Sequence, residues 1–189
     1  MLKKVMLGCV FAGCLGSLTV AATAQQVVHA VTGTMSSIDD LTKTFVVFQD
    51  NGTEEEFKNM TNTKTHIVFD KKIIMETTAA DAFKKGAYII VFYYGGDNDD
   101  RTAVSLKNLG AGPFTSTAGT VVKYEAKKQI SVEDSTGAVQ TYKITEQTVA
   151  ESYMGAVDGF KFQAQKGDHV RVVGSTENGT ATALFIRDI

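Results

Sequence analysis

The second half of this 189-residue chain repeats the first, and that repetition limits its folds more than any other feature. Gly33-Thr34 opens one copy and Gly119-Thr120 the other. Thr44-Phe45-Val46-Val47 corresponds to Gln129-Ile130-Ser131-Val132, and Asn51-Gly52 precedes Phe57-Lys58 as Thr136-Gly137 precedes Tyr142-Lys143. Lys85-Gly86 leads into the run from Tyr88 to Tyr94, and Lys166-Gly167 into the run from His169 to Val173. The copies close alike, on Thr102-Ala103-Val104-Ser105-Leu106-Lys107-Asn108-Leu109 and on Thr182-Ala183-Leu184-Phe185-Ile186-Arg187-Asp188-Ile189. A repeated pattern must bury matching positions twice, so two like units are expected. Gly110-Ala111-Gly112-Pro113 carries the single proline and reads as a break between them. The expected division is a domain over 25–109, a linker over 110–116 and a second domain over 117–189.

Within each copy the pattern is β. Short β-branched or aromatic runs bounded by turn residues predict strands near 27–36, 44–49, 54–60, 87–94 and 102–109. Their counterparts fall near 117–124, 129–134, 138–144, 168–174 and 180–188. Asp50-Asn51-Gly52 and Ser135-Thr136-Gly137 supply residues that accept the positive φ of hairpin turns. Helix formers at 78–85, after a threonine cap and before Gly86, predict one short helical piece. The matching connection, 145–166, is less helical and holds Gly155 and Gly159. Three strands, a connection and two strands form the order of an OB-like five-stranded Greek-key barrel. The fold expected is therefore all-β with minor helix, as two tandem barrels; an open meander of the same strand order is the alternative.

Lys166-Gly167-Asp168-His169-Val170-Arg171-Val172-Val173-Gly174 and Thr182-Ala183-Leu184-Phe185-Ile186, with the opening Gly-Thr, carry a resemblance. The pattern resembles a bacterial family of exported OB-like β-barrel repeat domains of unknown function. The first copy departs from it, with Ala87 in place of the aspartate and Tyr93-Tyr94 in place of the terminal glycine region. The resemblance implies a fold and a compartment and transfers no catalytic residue.

Residues 1–24 read as a signal peptide. Lys3 and Lys4 precede an almost wholly apolar stretch from Val5 to Val20, and Ala22-Thr23-Ala24 offers a small-x-small cleavage site. The mature chain is then expected to begin at Gln25, in the periplasm or outside the cell. Phe11-Ala12-Gly13-Cys14 resembles a lipobox, but the segment after Cys14 stays apolar, so lipidation is the minority reading. Both cysteines lie in this segment, so the mature part has no thiol for a disulfide, a nucleophile or a thiolate metal site. Cleavage removes two lysines and no acid, taking the formal net charge from −2 to −4. No basic cluster exceeds a lysine pair, so nucleic acid is excluded as the expected partner.

Little in the sequence points to chemistry. His29, His66 and His169 read as surface or edge residues. Asp97, Asp99 and Asp100 are a weak metal candidate, because they lack the spaced acids and closing glutamate of a calcium loop. Glu54-Glu55-Glu56 reads as charge guarding a strand edge. No serine sits in a nucleophile elbow, and no cofactor is implied.

The most informative feature is an asymmetry between the copies. Tyr88-Ile89-Ile90-Val91-Phe92-Tyr93-Tyr94 is apolar on both faces, whereas the second copy places His169 and Arg171 where the first has Tyr88 and Ile90. A strand of this kind is covered on both sides. Tyr88, Ile90 and Tyr94 are therefore the expected interaction surface, toward the other copy or the connecting segment, a partner protein or a small apolar or saccharide ligand. The expected function is an exported, non-catalytic binding or assembly module. A periplasmic hydrolase or transferase whose acids converge only in the fold is one alternative. A subunit that polymerises by strand addition is another.

Overall fold

Alternating burial organises the first half of the chain into strands. In the computed structural model, which describes residues 27–59, 84–95 and 101–189, these strands curl into a barrel. Strands β1 (His29–Asp39), β2 (Thr44–Gln49), β3 (Glu54–Asn59), β4 (Tyr88–Tyr94) and β5 (Thr102–Asn108) close in the order β1-β2-β3-β5-β4. All pairings are antiparallel except β3 with β5. Val31, Met35, Phe45, Val47, Phe57, Ile89 and Val91 fill its interior.

The second half makes the same pairings. β6 (Phe114–Glu125) pairs with β7 (Gln129–Asp134) and β11 (His169–Glu177). β8 (Val139–Lys143) pairs with β7, and β12 (Thr180–Asp188) pairs with β11. A parallel contact of β12 with β8, at Thr182 and Lys143, stands where β5 meets β3. Val121, Ile130, Val132, Tyr142, Val170, Val172 and Ile186 form this second core.

The irregularities correspond as well. β1 shifts register between Met35 and Ser37, and β6 between Val121 and Lys123. β4 shifts between Phe92 and Tyr93, and β11 between Val173 and Gly174. Each bulge bends its strand so that a short sheet can curl. Gly33 and Gly119 open the copies for a steric reason: a Cβ there would strike the carbonyl oxygen of Phe48 or Glu133 on the neighbouring strand. Turn chemistry is shared too. Gly52 donates its N–H to the Gln49 carbonyl and Gly137 to that of Asp134, each at 3.0 Å.

Two local expectations are corrected, and the expected helix falls largely outside the described residues. The connection 145–166 contains a hairpin, β9 (Val149–Ser152) and β10 (Gly155–Asp158), with β9 laid parallel to β12. It extends the second sheet to β10-β9-β12-β11-β6-β7-β8. The minor helix is absent among the described residues; Lys84 to Gly86 form a turn, and 78–83 lie outside those residues. The linker is shorter than 110–116, because β6 already begins at Phe114. β11 runs on past Gly174, giving Thr115 and Phe114 ladder partners in Gly174 and Ser175. Residues 1–24, read above as a signal peptide, also lie outside the described residues.

Between the barrels lies a third apolar cluster. Val28, Ala30, Ile90 and Phe92 of the first unit meet Val149, Val173 and Phe185 of the second. Strand alternation explains the arrangement, since Ile89 and Val91 face the first barrel's core while Ile90 and Phe92 face this seam. Burying each such side chain contributes about 1.5–3 kcal/mol, which holds the units together.

Candidate functional site

The rim of the seam is polar. β2 ends at Gln49, and the turn that follows carries Asp50 toward the second unit. The Tyr88 hydroxyl donates to one Asp50 carboxylate oxygen at 2.7 Å, and the Thr32 hydroxyl donates to the other. From the second unit, Arg171 Nη1 donates to the Asp50 carbonyl at 2.5 Å. Burial, reinforced by the Asp50 carboxylate, pushes the Tyr88 phenol far above its ordinary range, so it remains a donor. The Tyr88 ring stacks on Phe114, with centroids 4.6 Å apart.

This network walls a cleft of about 310 Å³. Thr32, Gln49, Asp50 and Asn51 line it from the first unit, and Arg171, Phe185, Arg187, Asp188 and Ile189 from the second. Arg171 and Arg187 are direct cross-strand partners, so both guanidinium groups leave the same face of the β11–β12 ladder. Gln49 is only 3% exposed, and its Nε2 has no hydrogen-bond partner among the described residues.

A second polar clasp closes the seam elsewhere. His29 Nδ1 lies 2.7 Å from Glu151 Oε1, and the Ala30 N–H donates to Glu151 Oε2 at 2.8 Å. Burial holds the Glu151 carboxyl above its ordinary range, although the His29 and Ala30 hydrogen bonds oppose the shift. Both carboxylate oxygens are engaged, and the N–H of Ala156 on the same hairpin donates to the Val28 carbonyl at 2.7 Å. The pair thus fastens the β9–β10 hairpin to β1. Lys107 Nζ adds a bond to the Gln147 carbonyl at 2.8 Å.

The residues singled out from sequence fall in different places. Ile90 is fully buried in the seam, and Tyr88 packs at its edge within the Asp50 network. Tyr94, at the end of β4, is half-buried and belongs to none of the three apolar clusters among the described residues. His29 is corrected from a plain surface histidine to one half of a seam clasp. His169 is exposed. His66, Asp97, Asp99 and Asp100 lie outside the described residues. Glu54 to Glu56 border a hollow with Arg101, where β3 pairs only with β2, and Glu55 meets Arg101 at 2.7 Å.

Sequence reasoning missed Gln49, Asp50, Glu151 and Arg187. Arg171 was seen only as a polar contrast to Ile90. The available signal lay in the repeat: matching the closing strands places Lys107 opposite Ile90 and Arg187 opposite Arg171. No protein-family model matches this sequence, and no curated protein is similar to it at a significant level.

Proposed function

We propose that this chain is an exported, non-catalytic binding module that holds a small ligand in the cleft between its two barrels. The observation that carries the reading is the cleft itself, about 310 Å³ in volume and lined by both units. Small-molecule sites favour such inter-domain positions and begin near this size, with apolar walls and a few polar groups. Ile189 supplies apolar surface here, and Arg171 and Arg187 supply hydrogen-bonding groups. The Asp50 carboxylate is engaged by Tyr88 and Thr32, which suits a wall better than a reacting group.

The closed strand order with β3 parallel to β5 supports an OB-like barrel, a fold that binds through its faces and loops. Export rests on the leader at residues 1–24 and its Ala22-Thr23-Ala24 site. Polymerisation by strand addition is less well supported, because the Ala156 N–H of edge strand β10 already donates to Val28.

The test is an amide-resolved NMR screen of the chain beginning at Gln25 against small neutral, cationic and anionic compounds. Saturable shifts grouped at Thr32, Gln49 to Asn51 and Arg187 to Ile189 are expected. If no compound of any class moves these amides, the binding reading fails.

A further inference from the structure

We infer that the cleft recognises an organic carboxylate, gripped by the guanidinium groups of Arg171 and Arg187. This rests on the cleft-binding reading and names the chemistry of its ligand. The two arginines stand opposite each other on adjacent strands, both half-buried and on one face. Like charges in that position repel, although Glu151 stands on the other side of Arg187 across the β9–β12 pairing. Neither guanidinium forms an ion pair among the described residues.

The neighbouring acids do not neutralise the pair directly. The Asp50 carboxylate is taken by Tyr88 and Thr32, and Arg171 meets the Asp50 carbonyl instead. Glu151 lies within electrostatic reach of Arg187, but His29 and the Ala30 N–H occupy its oxygens. Asp188 lines the same cleft, and among the described residues it forms no ion pair with either arginine.

A planar oxyanion matches the guanidinium fork, which can hold both oxygens at once. The bond from Arg171 to the Asp50 carbonyl fixes one fork in advance. Asp50 and Asp188 border the same cleft and disfavour a dianion, which selects a monocarboxylate over phosphate or sulfate. Ile189, largely exposed, offers apolar surface to the organic body attached to that carboxylate.

The experiment titrates the chain beginning at Gln25 with matched probes: galacturonate against galactose, benzoate against benzamide, and inorganic phosphate and sulfate. The carboxylate of at least one pair should bind about tenfold or more tightly than its neutral counterpart, and Arg187→Gln should remove that advantage. In ligand-free protein, Arg187→Gln should leave Tm unchanged, because relief of the repulsion with Arg171 offsets the lost attraction to Glu151. A lowered Tm would mark Arg187 as a structural residue and overturn the inference. So would binding of neutral members as tightly as acids, or preference for phosphate or sulfate, while leaving the cleft-binding reading intact. Absence of binding by every probe would overturn the carboxylate assignment. The broader NMR screen decides separately whether the cleft binds at all.

Discussion

Ile89 and Ile90 are neighbours on β4, both wholly buried, yet they face opposite ways. Ile89 belongs to the first barrel's core and Ile90 to the seam between the barrels. Truncation to alanine removes three carbons from either side chain, and at about 0.8 kcal/mol per buried CH₂ the transfer loss is roughly 2.4 kcal/mol. The cavity left behind brings the total to about 2–5 kcal/mol. If the seam is as dry and well packed as the core, Ile89→Ala and Ile90→Ala should destabilise the protein by similar amounts. Urea unfolding followed by far-UV circular dichroism reads this as a lowered midpoint with an unchanged slope. An exposed strand position would respond by only about 0.5 kcal/mol. Should Ile90→Ala stay within that margin while Ile89→Ala loses about 2–5 kcal/mol, the seam would not be a stable interface and the reasoning would be refuted.

Gly33→Ala and Gly119→Ala should each lower Tm, with a cost of about 1–3 kcal/mol, because the new Cβ falls on a neighbouring carbonyl oxygen. A variant at either position melting with wild type would contradict that close approach. The buried Glu151 carboxyl, raised above its ordinary 4.5, makes folding take up a proton. This contribution to stability is present at low pH and is lost as pH rises from 4.5 through the folded value. Glu151→Gln should remove that slope, which Tm measured from about pH 4 to pH 8 would reveal.

The strands and turns were legible because their signals are local. Alternation and β-branching marked 44–49, 129–134 and 180–188 at the boundaries the strands adopt. Glycines marked the turns, whereas the close approaches that require Gly33 on β1 and Gly119 on β6 emerged only from the structure. The β9–β10 hairpin was not legible, since its tip, Tyr153-Met154, lacks the usual turn residues and Gly155 follows it. The double-sided apolar character of β4 revealed that its outer face is covered, while tertiary packing selected the second barrel as one cover. The same limit applies to the candidate site. Asp50 reads as an ordinary turn residue until Arg171 reaches it across 121 positions of chain, and His29 finds Glu151 across 122. The arginine pair exists only through the register of β11 against β12. Local propensity arises from each residue's own sterics and its near neighbours, and the sequence by itself determines that much. Register and the docking of one barrel on another are fixed by burial summed over residues distant in the chain, so only the tertiary structure decided which polar groups would share a cleft.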